Sequence, residues 1–268
     1  SGNVEDSGFV TRQIKGQPVG FHLGALIASP HSYAAPASYV HTNIEGTINV
    51  LEAAREHGVE KIIHTSTSET YGTAIYAPID ENHPLQGQSP YSASKIGADK
   101  LAESYYRSFN LPVATIRPFN TYGPRQSTRA VIPTIIAQAL TQDEIHLGSL
   151  DPVRDVNFVK DTATGFVKVA EAQKSVGEVI NIGSGKGHTI QELVTTILRI
   201  MKVDKKIVLD ENRLRPENSE VFKLICDNTK SKKLTGWESR YSLEEGLGMT
   251  IDFVSNHLDL YKPSIYTL

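Results

Sequence analysis

The sequence predicts an α/β fold in which helices cover a parallel sheet. Two observations predict it: short β-branched apolar runs alternate with longer segments of helical period, and each short run is followed by turn or polar residues. The chain has 268 residues, of which 39% are hydrophobic, so it is long enough to build a packed core in one large or two intimate domains.

The short apolar runs are predicted to be strands, and the longer segments with helical period are predicted to be helices. The predicted strands are residues 19–23, 61–65, 113–118, 156–159 and 179–182. The predicted helices are residues 38–56, 91–109, 131–141, 161–172, 189–201 and 243–257.

Two of these helices begin with the residues of a capping box. Thr189 is followed three residues later by Glu192, and Ser242 is followed in the same way by Glu245. In this motif the hydroxyl and the carboxylate satisfy free amides of the first helical turn. We therefore expect helices to begin at both positions.

Beyond Gly123 the pattern becomes less regular and arginines accumulate. They are Arg125, Arg129, Arg154, Arg213 and Arg215. A guanidinium group suits carboxylate and phosphate oxygens, because its N–H donors form a planar fork. The sequence therefore predicts a second, smaller lobe that faces an anionic ligand.

The composition excludes several classes of protein. The net charge of -3 argues against a nucleic-acid-binding protein, since that class usually presents a basic face. Cys226 is the single cysteine and is expected to be a small buried side chain. No run approaches the ~20 apolar residues of a membrane span, and the polar residues 1–7 are unlike a signal peptide. The nine histidines show no ligand spacing, so we expect no metal and a soluble, cytoplasmic protein.

Tyr91 and Lys95 lie one helical turn apart in a predicted helix. An ammonium group held near a phenol favours the phenolate, which would make Tyr91 a general base near neutral pH. The alternative is a solvated lysine beside a half-buried tyrosine, and this pair of residues alone does not decide between the two.

Four consecutive hydroxyl residues and a carboxylate follow the second predicted strand. They begin the segment Thr-Ser-Thr-Ser-Glu-Thr-Tyr-Gly, residues 65–72. The carboxyl end of a parallel sheet is where ligands bind, so these side chains are candidates for a site. The alternative is a polar turn.

These two motifs, with His-Leu-Gly-Ala at residues 22–25 and Arg-Pro-Phe-Asn-Thr-Tyr-Gly-Pro at residues 117–124, resemble the extended short-chain dehydrogenase/reductase family. The resemblance runs from about residue 2 to about residue 253. It implies a Rossmann-like sheet built from residues 1–123 and about 156–175, and a substrate lobe built from residues 124–155 and 176–268. The Thr-Ser-Glu order at residues 67–69 looks like the dehydratase version of the motif, since epimerases generally lack this glutamate.

The resemblance implies an NAD-dependent nucleotide-sugar 4,6-dehydratase. Tyr91 would take the proton of the sugar C4 hydroxyl, Lys95 would hold the phenolate and the nicotinamide ribose, and Thr67 would contact the C4 oxygen. Glu69 would take the C5 proton. Related dTDP-glucose dehydratases carry an aspartate at the Ser68 position, so here either Glu69 or a water would protonate the leaving hydroxyl.

The same resemblance assigns binding residues. Leu23, Gly24, Ala25 and Thr42 match positions that line the cofactor. The predicted substrate-binding residues are Asn120, Arg129, Arg154 and Arg215. Of these, Arg154 and Arg215 would clamp the diphosphate. A longer run of residues 79–91, with residues 125–127 and 130–133, looks closest to the N-acetylglucosamine nucleotide 4,6-dehydratases of the legionaminic-acid pathway. We therefore expect UDP- or GDP-N-acetylglucosamine as substrate.

The resemblance also implies a segment that this sequence does not show. Dinucleotide-binding folds begin with a strand, a glycine-rich turn and a helix, and roughly 60 residues of that kind precede residue 2 in the family. Residues 2–4 would then be the remnant of a strand, and the strand at 19–23 would have an unpaired edge. We expect this chain to bind NAD weakly or not at all, a prediction that calorimetry can check.

Other functions remain open from the sequence. A 4-epimerase or a UDP-glucuronate-type decarboxylase would share Tyr91, Lys95 and the transient C4 ketone, and an inactive fragment or interaction module is a further alternative. The family commonly forms homodimers through the helix that bears Tyr91 and the helix before it. Leu101 and Tyr105 fit such a contact stripe, although a buried internal face explains them equally well.

Overall fold

The computed structural model describes residues 2–261. Its strands are β1 (Val19–His22), β2 (Lys61–Thr65), β3 (Val113–Pro118), β4 (Asn120–Tyr122), β5 (Glu144–Leu147), β6 (Val153–Phe158), β7 (Val179–Ile182), β8 (Gly187–Thr189), β9 (Lys206–Leu209) and β10 (Lys223–Leu224). Its α-helices are α1 (Ser7–Ile14), α2 (Ser29–Ala34), α3 (Pro36–Tyr39), α4 (Gly46–Glu56), α5 (Pro90–Phe109), α6 (Val131–Thr141), α7 (Val159–Glu171), α8 (Ile190–Met201), α9 (Thr229–Thr235) and α10 (Leu243–Asn256).

The main sheet is parallel and is covered on both faces, which confirms the α/β fold class. Its strand order is β1-β2-β3-β7. Neighbouring residues of β2 point to opposite faces: Ile62 packs with helices α4 and α5, whereas Ile63 packs with α7 and α9. Both faces of β2 and β3 are buried, and each strand has an apolar centre bounded by polar residues or proline, which is why their bounds could be predicted from the sequence.

The remaining strands build a smaller region around a second core. Strands β10, β6 and β4 form one sheet, to which β8 adds an antiparallel strand, and β5 pairs with β9. Helices α6, α8 and α10 cover this region with Ile135, Leu193, Ile197 and Leu247, all fully buried. This core lies beside the carboxyl ends of the main strands, since β4 follows β3 after one residue.

Two strands lie elsewhere than the predicted domain bounds imply. Strand β7 falls in the range assigned to the substrate lobe, but it pairs with β3 in the main sheet, where Ile180 and Ile182 are buried under α7. Half of strand β6 falls in the range assigned to the Rossmann-like part, but the strand pairs with β4 and β10. The boundaries between the two regions therefore differ from the predicted ones.

The predicted helix at residues 38–56 is interrupted. It consists of α3, a π-helical segment over Val40–Glu45, and α4. Within the segment, the buried Asn43 side chain accepts a hydrogen bond from the Leu26 amide and donates to the Leu26 carbonyl. A π-helical turn is common where a side chain serves a site, and here it lets Asn43 reach the turn after β1.

The predicted capping boxes are confirmed at both helices. The Glu192 amide donates to Thr189 Oγ1 at 3.0 Å, and the Glu245 amide donates to Ser242 Oγ at 3.2 Å. In each box the glutamate carboxylate accepts from the amide of the capping residue. The sequence motif was sufficient to predict where each helix begins, because the two residues of each box lie within one helical turn.

The amino-terminal residues differ from the prediction. Residues 2–4 do not form a strand: the Asn3 carbonyl accepts the Asp6 amide, and the Asp6 carboxylate caps α1 by accepting from the Phe9 amide. Asn and Asp favour such turns because their short side chains bond nearby backbone. As predicted, β1 lies at an edge of the main sheet, and within residues 2–261 it pairs with β2 alone.

Leu101 and Tyr105 do not form an exposed stripe. Both pack into the internal cluster between α4, α5 and the sheet, and the Tyr105 hydroxyl donates to Glu52 of α4. The buried alternative therefore explains their spacing, and a homodimer stays a prediction. Among residues 2–261, no helix combines the length and the apolar character that crossing a bilayer requires.

Candidate active site

The candidate site lies where β2 ends and α5 begins. After β2, Thr67 caps a 3-10 turn over Ser68–Tyr71 by accepting the Glu69 amide at 3.2 Å. Helix α5 starts with Pro90, and Ser89 caps it in a box with Ser92. These two local caps hold the Thr-Ser-Glu turn and the first turn of α5 against each other at the carboxyl end of the sheet.

Tyr91 and Lys95 are both buried in this site. The Lys95 ammonium donates to the Thr65 carbonyl at 2.6 Å. Burial lowers the pKa of Lys95 to about 8, and the charge of Asp99 partly opposes this effect. Burial also raises the pKa of Tyr91 well above its ordinary value, although a hydrogen bond with the Thr67 side chain acts in the opposite direction.

The protonation of Tyr91 therefore differs from the sequence-based expectation. The phenolate was expected to be favoured by Lys95, but the cost of burying a charge dominates and raises the pKa of Tyr91. The hydrogen-bond partner that favours the phenolate is Thr67, which the sequence placed at the substrate oxygen.

A buried cluster of polar side chains lies next to Lys95. One helical turn beyond it, Asp99 accepts hydrogen bonds from His64 Nε2 at 3.0 Å and Ser66 Oγ at 2.7 Å. Arg117 adds two more, at 3.1 and 2.8 Å. Burial would raise the pKa of Asp99, but the hydrogen bond from His64 and the charge of Arg117 hold it well below its ordinary range. Sequence reasoning missed this cluster, although the four-residue spacing Tyr91, Lys95, Asp99 was a signal for it.

Glu69 faces the same space as Tyr91. Its carboxylate Oε2 lies 3.6 Å from Nη1 of Arg215, and its charge is one of the causes that raise the pKa of Tyr91. Its side chain is 12% exposed. The structure therefore brings Glu69, Thr67 and Tyr91 together, as the sequence predicted.

Two of the predicted phosphate-binding arginines meet at this site. Arg154 Nη2 lies 3.2 Å from Glu220 Oε1, and Arg215 Nη1 lies 4.0 Å from the same oxygen. Burial lowers the pKa of Arg154, and the charges of Glu69 and Glu220 oppose this shift. Glu220 was not predicted, because nothing in its local sequence indicates that it contacts residues of β6.

Asn120 and Arg129 lie at different depths. Asn120 begins β4, and its Oδ1 is a buried acceptor without a hydrogen-bond partner among the described residues, which suits a ligand donor. Arg129 is exposed, and its charge acts on Tyr39, whose ring packs edge-on against Tyr91 at 6.0 Å. Both residues therefore lie toward the site, one in its wall and one near its mouth.

Three of the predicted cofactor residues, Leu23, Gly24 and Ala25, lie in a largely exposed turn after β1. Leu23 is 63% exposed and Gly24 is also exposed. Asn43, which the sequence did not indicate, ties this turn to α5 by donating to Ser94 Oγ at 2.9 Å. The Thr42 hydroxyl donates to the Glu5 carboxylate at 2.5 Å, so it faces the amino-terminal segment.

These residues fit the nicotinamide end of a dinucleotide. The turn at residues 23–25 and the buried Lys95 lie together at the carboxyl ends of β1 and β2, which is the crevice where dinucleotides cross a doubly wound sheet. Within the described range, 2–261, no group of three His, Cys, Asp or Glu side chains is placed to hold a metal ion.

A family model described as GDP-mannose 4,6 dehydratase matches residues 1–250 of the chain. This chain belongs to the GDP-mannose 4,6-dehydratase family. The predicted relationship to NAD-dependent epimerases and dehydratases is therefore confirmed at the level of the family. The narrower placement beside the legionaminic-acid enzymes stays a prediction.

Relatives of this family member include both dehydratases and epimerases. A dTDP-glucose 4,6-dehydratase from Streptomyces antibioticus is 32% identical over 263 residues, which cover 98% of this chain and 77% of that protein. A UDP-glucose 4-epimerase from Mycolicibacterium smegmatis is 31% identical over 242 residues, which cover 88% of this chain and 75% of that protein.

The same architecture is seen in solved structures. DesIV, a dTDP-glucose 4,6-dehydratase from Streptomyces venezuelae solved with NAD bound, is 28% identical, with a TM-score of 0.89 over 98% of this chain and 80% of that one. This similarity confirms the Rossmann-type fold, and the predicted cofactor agrees with the NAD in that structure.

Proposed function

We propose that this protein is an NAD-dependent nucleotide-sugar 4,6-dehydratase. The observation that carries the proposal is the position of Glu69, a carboxylate at the rim of the sheet whose charge acts on Tyr91. Oxidation at C4 requires only Tyr91 and Lys95, whereas removal of a proton from C5 requires a second base. Glu69 supplies that base on the same side of the sheet as Tyr91.

The residues support oxidation at C4 first. Tyr91 accepts the proton of the C4 hydroxyl, and Thr67, which is hydrogen-bonded to Tyr91, orients the phenol toward that oxygen. NAD, when bound, would supply the hydride chemistry between C4 and C6. The Lys95 ammonium, one helical turn from Tyr91, opposes by its charge the cost of burying the phenolate.

Loss of water follows from the C4 ketone. The ketone acidifies the C5 hydrogen, so Glu69 can take this proton as the C6–O bond breaks, and the departing hydroxyl takes the proton from Glu69 to leave as water. When C6 is reduced, a proton returns to C5 from solvent through Glu69 and balances the proton left on Tyr91. Ser68 carries a hydroxyl, which is a far weaker acid than a protonated carboxylate, and this favours Glu69 as the proton donor.

The substrate class follows from the arginines. Arg154 and Arg215 present two guanidinium groups beside Glu69, and the unpartnered Asn120 oxygen lies in the wall of the same site. This arrangement suits the diphosphate of a nucleotide sugar. We propose UDP- or GDP-N-acetylglucosamine as the substrate and a 4-keto-6-deoxy sugar nucleotide as the product.

Product analysis tests this proposal. The complete gene product is incubated with UDP- and GDP-N-acetylglucosamine, and the products are examined by mass spectrometry and NMR. The proposal expects loss of one water and a methyl group at C6. A product of unchanged mass with inverted C4 would contradict it and support the second candidate, a 4-epimerase, which the 31% identity to a UDP-glucose 4-epimerase favours.

A further inference from the structure

One guanidinium group lies between two carboxylates in the candidate site. Nη1 of Arg215 is 3.6 Å from Glu69 Oε2 and 4.0 Å from Glu220 Oε1, and Glu220 also pairs with Arg154. The four side chains form a row in the order Glu69, Arg215, Glu220, Arg154. Their formal charges cancel, so the row is neutral before a substrate enters.

A diphosphate changes this balance. It brings further negative charge into a site where Arg215 and Arg154 are the nearby cations, so it must compete with the two carboxylates for their N–H donors. The Arg154 side chain is 8% exposed and pairs with Glu220, whereas the Arg215 side chain is 25% exposed. Arg215 is therefore the more accessible of the two arginines to a diphosphate.

Arg215 also determines where the Glu69 carboxylate lies. Glu69 forms an ion pair with Arg215, and both side chains are largely shielded from water, which strengthens the attraction compared with an exposed pair. Glu69 lies within the short 3-10 turn over Ser68–Tyr71, whose cap fixes its backbone but not its carboxylate. The contact with Arg215 therefore limits the directions that the carboxylate can take relative to Tyr91.

We propose that Arg215 is a positioning residue for Glu69 that couples diphosphate binding to removal of the C5 proton. The inference rests on the proposed dehydratase function. A substrate that carries the diphosphate engages Arg215, and through Arg215 it places the Glu69 carboxylate at C5. Binding energy from the nucleotide end of the substrate is thereby used at the reacting carbon.

Two measurements separate this role from simple diphosphate binding. The first is the fraction of cofactor held as NADH at steady state with saturating substrate, which rises when oxidation proceeds but proton removal is slow. The second is the exchange of the C5 hydrogen of the 4-keto-6-deoxy product with deuterium in heavy water. Exchange requires the ketone and the base but no hydride transfer.

For Arg215→Ala we expect NADH to accumulate and C5 exchange at saturating product to slow by about 100-fold, the typical effect of a misplaced catalytic group. For Arg215→Lys, which keeps a cation beside Glu69 but loses the forked donor set, we expect exchange to recover while KM stays high. Accumulation of NADH by the alanine variant would itself show that this variant folds, because oxidation at C4 requires an intact site.

Two further variants serve as controls. Arg154→Lys alters an arginine whose ion pair is with Glu220, so it should raise KM and leave the NADH fraction unchanged. Arg199→Ala removes an exposed arginine of α8 that pairs with Glu244 of α10. This variant should leave the NADH fraction and the C5 exchange rate at the wild-type level.

The outcomes are distinguishable. If Arg215→Ala raises KM alone, with wild-type exchange at saturation, Arg215 is only a diphosphate ligand and the inference is wrong. If the wild-type protein inverts C4 without losing water, the proposed function itself is wrong, and the inference falls with it.

Discussion

In the proposed dehydratase, the reaction type depends on Glu69. Under that proposal Tyr91, Thr67 and Lys95 would serve any oxidation at C4, whereas the loss of water also requires a base for C5. Its position beside Arg215 and near Tyr91 makes its carboxylate the group to test first.

For Glu69→Gln we expect dehydration to fall by about 100-fold or more, because the amide cannot accept the C5 proton. Oxidation at C4 should continue, so NADH should accumulate when substrate is added. Absorbance spectroscopy with product analysis measures both effects. Glu56→Gln, at the exposed end of α4, is the matched control. Unchanged turnover by the Glu69 variant would rule out the dehydratase mechanism.

The pKa of Lys95 determines the pH dependence that we expect for the free enzyme. Burial lowers the pKa of Lys95 from 10.5 to about 8, so its ammonium is present below about pH 8 and is lost as the pH rises through that value. Because burial raises the pKa of Tyr91, the form that carries both a phenolate and the Lys95 ammonium becomes more populated as the pH rises, and it stops gaining once Lys95 loses its proton. We therefore expect kcat/KM to rise with pH and to level off near pH 8. A profile that keeps rising up to the ordinary lysine range would contradict this assignment.

At the scale of elements, short local motifs determine where the helices begin. In α8, Thr189 and Glu192 satisfy amides of the first turn, while Leu193, Val194 and Ile197 bury the apolar face in the second core. The helix is thus held at its start by polar contacts and along its length by packing.

For Thr189→Ala we expect a loss of about 1 kcal/mol in the free energy of unfolding, because the cap hydroxyl no longer accepts the Glu192 amide. Denaturant unfolding measures the change. Thr195→Ala, on the exposed side of the same helix, is the control and should be close to neutral. A loss of equal size in both variants would mean that the cap has no special role.

At the scale of the whole molecule, Asp161 connects segments distant in the sequence. It lies at the start of α7, is 2% exposed, and its Oδ2 accepts hydrogen bonds from Ser239 Oγ and the amides of Arg240 and Tyr241. The Asp161 carbonyl also accepts from Trp237 Nε1. This joint anchors the segment that leads into α10 against the helix that covers the main sheet.

Asp161→Ala would leave three donors without their acceptor, so we expect a loss of about 3 kcal/mol in the free energy of unfolding. Thermal and denaturant unfolding should show the change, with Asp252→Ala on the exposed side of α10 as the control. Similar stability of the two variants would contradict the proposed joint.

Features that depend on neighbours in the chain could be read from the sequence. The strands β2 and β3, both capping boxes, and the pairing of Tyr91 with Lys95 on one helix follow from periods and spacings within a few residues. The Thr-Ser-Glu motif at the end of β2 was placed at the site because parallel strands end at a common edge. Local geometry is almost the same in any fold, which is why the strands and the capping boxes were predicted correctly.

Features that depend on distance through space and on burial came from the folded chain. The contact of Glu69 with Arg215, the role of Glu220, the Asp99 cluster and the pairing of β7 with β3 join residues that no local pattern relates. The raised pKa of Tyr91 was likewise outside the reach of the sequence, since spacing identifies its neighbours but only packing determines how much water they exclude.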